Sequence, residues 1–202
     1  MAMSSRTSAV FLDKDGTLIE DVPYNVAPEQ MRLVPDAPEA LHLLARSGYR
    51  LIVVSNQPGV ALGMFPEYAL RAVEQRLQEL LLPAGVSLHG FYYCPHFPRA
   101  RIPAYRLHCN CRKPAPGMLT RAARDHSLQL RSSWLVGDIL DDIEAGRRVN
   151  CKTVLINNGN ETEWELTAER CPHAVANNLL EAARTIVRVD SEMAARTASA
   201  SV

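Results

Sequence analysis

Apolar residues along this chain fall into two kinds of segment. The first kind is a short, dense run: Ala-Val-Phe-Leu at 9–12, Leu-Ile-Val-Val at 51–54 and Trp-Leu-Val at 134–136. Runs of three or four such residues are too short for helices and predict buried strands. Each stops abruptly at a polar cluster. These are Asp13-Lys14-Asp15-Gly16-Thr17, Ser55-Asn56-Gln57-Pro58-Gly59 and Gly137-Asp138.

The second kind has helical spacing. Ala37, Ala40, Leu41, Leu44 and Ala45 predict a helix over 36–46, with Asp36 as its cap and Gly48 as its stop. Leu70, Val73, Leu77, Leu80 and Leu81 make an i, i+3, i+4 stripe between Pro66 and Pro83. Further helices are expected over 117–126, 141–149 and 179–189, and further strands over 152–156 and near 174–175. The stretch 92–116, rich in Pro, Arg, Cys and His, breaks the alternation and is read as an inserted loop. The last twelve positions, 191–202, are mostly Ala, Ser and Thr and are expected to fray.

Alternating strands and helices predict an α/β fold: a doubly wound, Rossmann-like parallel sheet with helices on both faces. In such sheets ligands bind beyond the carboxyl ends of the strands. The three polar clusters should therefore converge, bringing Asp13, Asp15, Ser55, Asn56 and Asp138 to one crevice. Carboxylates gathered in this way repel one another unless a cation sits among them. Magnesium suits a site with few protein ligands, several waters and a substrate phosphate. Asp13 and Asp138 are the expected ligands, with the backbone carbonyl of Asp15, and Asp142 supports them from the next helical turn.

Length and charge narrow the function. At 202 residues and 47% hydrophobic content, one domain over 1–190 is expected. Lys plus Arg equals Asp plus Glu at 22 each, so no global field favours a nucleic-acid backbone or an anionic membrane. No apolar run approaches membrane-spanning length, and the N-terminal residues lack a secretory pattern, so a cytoplasmic chain is expected. Five cysteines without an export signal argue against a disulfide framework, and three of them lie within eighteen positions, which points to a metal.

The cluster Asp13-Lys14-Asp15-Gly16-Thr17-Leu18 resembles the first signature of the haloacid dehalogenase-like (HAD-like) phosphatases. Ser55 matches the second signature, Lys113 the third, and Gly137-Asp138 with Asp142 the fourth. Cys94-Pro95-His96, Cys109-Asn110-Cys111 and Arg112-Lys113-Pro114 resemble the zinc-loop subgroup, which contains heptose 1,7-bisphosphate phosphatases and histidinol-phosphate phosphatases. The resemblance spans about residues 9–188. It implies that Asp13 forms a phospho-aspartate and that Asp15 acts as general acid and base. It also implies that Ser55, Asn56 and Lys113 hold the phosphoryl oxygens, with Thr17 and Asp142 in support.

Cys94, His96, Cys109 and Cys111 supply the four ligands of a closed structural zinc site, in two pairs separated by twelve residues. Unligated cysteines in a buried loop are the plainer alternative. The loop ends at Arg112-Lys113, so Arg112 is the candidate for pairing with a second phosphate.

The interval between Leu18 and the second strand is about thirty residues, too little for a large cap domain. Specificity should then rest on residues 20–26, the turn with Gln57, and the zinc loop. Asn56-Gln57-Pro58-Gly59-Val60 favours the heptose bisphosphate enzymes. Three positions depart from them: Lys14 and Leu62 stand where those enzymes usually have Arg, and Ile139 stands where a basic residue is common. The implied substrate is a small phosphorylated metabolite, foremost the 7-phosphate of D-glycero-D-manno-heptose 1,7-bisphosphate, with histidinol phosphate or another small-metabolite ester as the alternative. A nucleic-acid 3′-phosphatase or a zinc-knuckle binding module is disfavoured by the zero net charge and the lack of an aromatic stacking row. A monomer is expected.

Overall fold

A computed structural model describes residues 7–199. Six strands form one parallel sheet: β1 (Ala9–Leu12), β2 (Arg50–Asn56), β3 (Gly90–Cys94), β4 (Trp134–Gly137), β5 (Lys152–Ile156) and β6 (Ala174–Ala176). Their order is β3-β2-β1-β4-β5-β6, so the chain winds outward from β1 in one direction and then from β4 in the other. The switch point lies between β1 and β4, where two neighbouring strands send their following segments to opposite sides and open a crevice.

Among the described residues six α-helices accompany the sheet: α1 (Ala37–Arg46), α2 (Pro58–Leu62), α3 (Ala69–Leu81), α4 (Gly117–Asp125), α5 (Leu140–Arg147) and α6 (Leu179–Ser199). Strand side chains alternate between two layers, as the two-residue period of a strand requires. Val10, Leu12, Leu51, Val53 and Val136 pack with the apolar faces of α1, α3 and α6. Ala9, Phe11, Ile52, Val54 and Leu135 pack with Met118, Leu119 and Ala122 of α4 and Ala145 of α5. Both faces are buried, which is why these strands appear in sequence as unbroken apolar runs.

Gly48 ends α1 with φ +88°, as expected of a helix stop. Asp36 holds the N-cap position of α1 but makes no side-chain cap there. Its Oδ2 instead accepts from Leu180 N (2.6 Å), in the first turn of α6, and so ties the two packed helices together.

Three elements differ from expectation. β3 starts at Gly90 and runs into the region read as irregular; its sequence, Gly-Phe-Tyr-Tyr-Cys, is half-buried on the sheet edge and lacks a clean apolar run. α2 has only five residues, below the length at which periodicity can be recognised. α6 continues to Ser199 where fraying from 191 is expected, because the strong helix formers Ala194, Ala195 and Ala198 sustain it even though 191–199 is exposed. Residues 200–202 lie outside the described residues. Between Leu18 and β2 the chain holds only a 3-10 turn, Pro28–Gln30, and α1, so no large cap covers the crevice.

Candidate active site

Asp13 follows β1 directly, and its amide donates to Val136 O of β4 (2.9 Å), which fixes the end of one strand against the other. Asp138 follows β4, and Asp142 lies in the first turn of α5. Carboxylate oxygens of Asp13, Asp138 and Asp142 lie within 4.8 Å of one another, and all three residues are buried. The expected convergence is therefore present, and Asp142 belongs to its centre.

Lys113 reaches this cluster from the far end of the loop. Its Nζ pairs with Asp13 Oδ1, lies 2.5 Å from Asp142 Oδ1 and donates to Val54 O (3.0 Å). Asp13 and Val54 accept hydrogen bonds from the ammonium, and Asp142 faces it as an ion pair. Burial pushes the Lys113 pKa down, but the charges of Asp13 and Asp142 outweigh it and hold the amine firmly protonated. Burial raises Asp142, which Lys113 opposes. Burial, followed by repulsion from Asp13, pushes Asp138 up to about 6. One ammonium does not offset three buried carboxylates, and Asp142 Oδ2 is buried with no hydrogen-bond partner. This donor set suits a hard divalent cation.

Gly16 makes the close approach of the first loop feasible. Its φ is +77°, and a Cβ there would lie 2.1 Å from Asp138 Oδ2 and 2.4 Å from Asn160 Nδ2. Thr17, also buried, donates from Oγ1 to Asp138 Oδ1 (3.2 Å).

Asp15 sits at the mouth of the crevice, paired through Oδ1 with the buried amine of Lys14. Its Oδ2 accepts from Gln57 Nε2 (3.1 Å), which also donates to Ser55 Oγ (2.8 Å). Burial is the main cause of a raised Asp15 pKa, with Lys14 opposing it. Beside Asp15 a cleft of about 240 Å³ is lined by Asp21, Tyr24, Asn25, Asn56, Gln57 and Pro58, none of them cationic.

Asn56 takes a different part from the one expected. Its Nδ2 donates to Lys113 O (3.1 Å) while its Oδ1 accepts from Lys113 N (3.0 Å), so both ends of the amide hold the Lys113 backbone. The side chain fixes the lysine in place.

The loop between β3 and α4 brings Cys94, His96, Cys109 and Cys111 together. Sulfur–sulfur distances are 3.1 Å (94 to 111), 3.2 Å (109 to 111) and 3.5 Å (94 to 109), and His96 Nδ1 lies 3.3 Å from Cys111 Sγ. A tetrahedral zinc with bonds of about 2.3 Å to sulfur needs ligands roughly 3.7 Å apart, close to this spacing. Burial pushes the Cys94 thiol up, so a thiolate there needs a positive neighbour. Gln57 N donates to Cys94 O (2.8 Å), which joins the cluster to the crevice. Arg112 stacks its guanidinium 5.0 Å from the Phe97 ring centre and leaves Nη1 buried without a hydrogen-bond partner.

The D-glycero-β-D-manno-heptose-1,7-bisphosphate 7-phosphatase of Photorhabdus laumondii is 36% identical over 185 residues, 91% of this chain and 97% of that protein. The chain belongs to this HAD-like phosphatase family. It is a phosphoric monoester hydrolase. The heptose-1,7-bisphosphate 7-phosphatase of Escherichia coli K12 is 35% identical over 91% of this chain and 96% of its own length. A HAD-hydrolase-like family model matches residues 110–182. Among solved structures, the D,D-heptose 1,7-bisphosphate phosphatase of B. bronchiseptica, complexed with magnesium and phosphate, superposes with a TM-score of 0.73 at 25% identity, over 90% of this chain and 99% of that one.

Sequence reasoning missed Asn158, Asn160 and Glu161 in the crevice of this phosphatase. Asn160 Nδ2 donates to Asp138 Oδ2 (2.7 Å), Asn158 Nδ2 to Gly16 O (2.7 Å), and Glu161 Oε2 accepts from Leu140 N (2.5 Å) at the start of α5. The signal was available. β5 also ends in a polar turn, Asn157-Asn158-Gly159-Asn160, as β1, β2 and β4 do.

Proposed function

We propose that this phosphatase removes the 7-phosphate of D-glycero-D-manno-heptose 1,7-bisphosphate through a phospho-aspartate on Asp13. The observation carrying the reaction is the buried cluster of Asp13, Asp138 and Asp142, with Asp15 two residues past Asp13 at the edge of an open cleft. The names of relatives that align over nearly their whole length support the substrate.

Asp13, Asp138 and the backbone carbonyl of Asp15 would hold Mg2+, with Asp142 and Thr17 in support. When bound there, the ion offsets carboxylate charge as the phosphate dianion approaches. An Asp13 oxygen forms the new bond to phosphorus while the bond to the sugar oxygen breaks. Asp15, with its raised pKa, gives a proton to the departing alkoxide. It then takes a proton from the water that attacks phosphorus, which releases phosphate and restores both carboxyl groups. Lys113 stays paired with Asp13 and Asp142, and Ser55 and Gln57 offer neutral polar groups for phosphoryl and sugar oxygens.

The cationless cleft beside Asp15 suits a hydroxyl-bearing leaving group. Arg112, with an unpartnered Nη1, suits the second phosphate of the sugar. Zn2+ held by Cys94, His96, Cys109 and Cys111 would set the loop that presents Arg112 and Lys113. Among the described residues no helix is long and apolar enough to cross a membrane. A cytoplasmic monomer acting on a diffusible metabolite is the setting that fits this chemistry.

The test is phosphate release from heptose 1,7-bisphosphate and from histidinol phosphate, each with Mg2+. A kcat/KM at least about tenfold higher on the heptose ester is expected, since each 1.4 kcal/mol of selective transition-state binding gives a factor of ten. Preference for histidinol phosphate would reassign the substrate.

A further inference from the structure

The turn after β5 bonds to Asp138, to the loop that follows Asp13 and to the first turn of α5. Asn160 Nδ2 donates to Asp138 Oδ2 at 2.7 Å, while Thr17 Oγ1 holds Oδ1 of the same carboxylate at 3.2 Å. With one donor on each oxygen, the carboxylate plane is fixed. Asn160 is itself held, because its amide donates to Asn158 Oδ1 (3.1 Å). Asn158 turns its other end to Gly16 O (2.7 Å), the carbonyl next along from that of Asp15. A Cβ on Gly16 would strike both Asp138 and Asn160, so the three groups are packed as closely as backbone allows. One residue on, Glu161 Oε2 accepts from Leu140 N at the start of α5, the helix that carries Asp142.

We propose that Asn158 and Asn160 form a positioning strap, in which Asn160 orients the Asp138 carboxylate and Asn158 orients the Asp15–Gly16 segment for a divalent cation. The inference rests on the magnesium reading of the acidic cluster. A hydrogen bond to a ligating carboxylate restricts its rotation before the metal arrives, so less ordering accompanies binding; partners of this kind typically change metal affinity about 10- to 100-fold. The strap leaves the nucleophile Asp13 untouched, so its contribution lies in assembling the site rather than in the chemical step.

The test is calorimetric titration of Mg2+ into the metal-stripped chain, without substrate, for the unmodified protein, Asn160→Ala and Asn158→Ala. Asn160→Ala is expected to weaken Mg2+ binding by about 10- to 100-fold, and Asn158→Ala by a smaller factor. At saturating Mg2+, turnover of Asn160→Ala should return to within a few-fold of the unmodified enzyme, which loss of a catalytic group would not allow. Melting in EDTA separates folding from metal affinity; if Asn160→Ala does not fold, Asn160→Ser takes its place with the same expected direction. Unchanged Mg2+ affinity in the folded variant overturns the strap, as does a loss of turnover that saturating Mg2+ does not repair. Failure of the unmodified protein to bind Mg2+ would instead overturn the magnesium reading itself.

Discussion

As the proposed nucleophile, Asp13 meets two demands: it must carry a negative charge and approach an anion. Lys113 addresses the first by pairing with it in a buried setting. Asp13→Asn keeps the shape but removes the proposed nucleophile, and kcat should fall by roughly 10⁴-fold or more, with the fold intact by circular dichroism. Lys113→Met should be damaging for a different reason. It leaves Asp13 and Asp142 buried without their ammonium, and breaking a buried pair in this way costs about 3–5 kcal/mol, to be read by denaturant titration without Mg2+. Asp13, Asp15 and Asp138 were legible in sequence because they cluster where short apolar runs end. The actual task of Asn56 was not, since its two bonds to the Lys113 backbone join positions 57 residues apart. Nor does a sequence pattern reveal that the Lys14 amine is buried against Asp15.

Among the elements, the loop from β3 to α4 carries the cluster of Cys94, His96, Cys109 and Cys111, the proposed zinc ligands. Cys109→Ser should lower zinc content measured by mass spectrometry of the metal, and it should expose the loop to proteolysis; an unchanged zinc content would remove Cys109 from the ligand set. α6 presents the opposite case, a helix whose anchor lies far along it. Asp190 accepts from Tyr49 (2.6 Å), Trp134 (3.1 Å) and Lys152 (2.5 Å), joining α6 to β2, β4 and β5 or their edges. Asp190→Ala should lower stability by about 1–3 kcal/mol in a denaturant titration, because it leaves buried donors without their acceptor. The amphipathic stripes of α1 and α3 were plain from spacing alone. β3 was obscured because an edge strand with both aromatic and polar neighbours carries no apolar run, and α2 because five residues hold barely one turn.

At the scale of the molecule, one topological fact organises the chemistry. β1 and β4 are neighbours, and the chain departs from them in opposite directions, so residues from positions 13, 113, 138 and 142 meet in one crevice. Strand–helix alternation made the parallel sheet legible, and the rule for strand ends located the crevice. The turn after β5 falls under the same rule, but its asparagines carry no charge and so are harder to read as candidate chemistry than the aspartates after β1 and β4. The covalent route through Asp13 is tested most directly by the stereochemical course at phosphorus, using a substrate phosphorothioate made chiral with two oxygen isotopes and hydrolysed in water of the third. Two in-line displacements, first by Asp13 and then by water, predict net retention of configuration. Net inversion would mean that water attacks the substrate directly, and it would contradict the phospho-aspartate account.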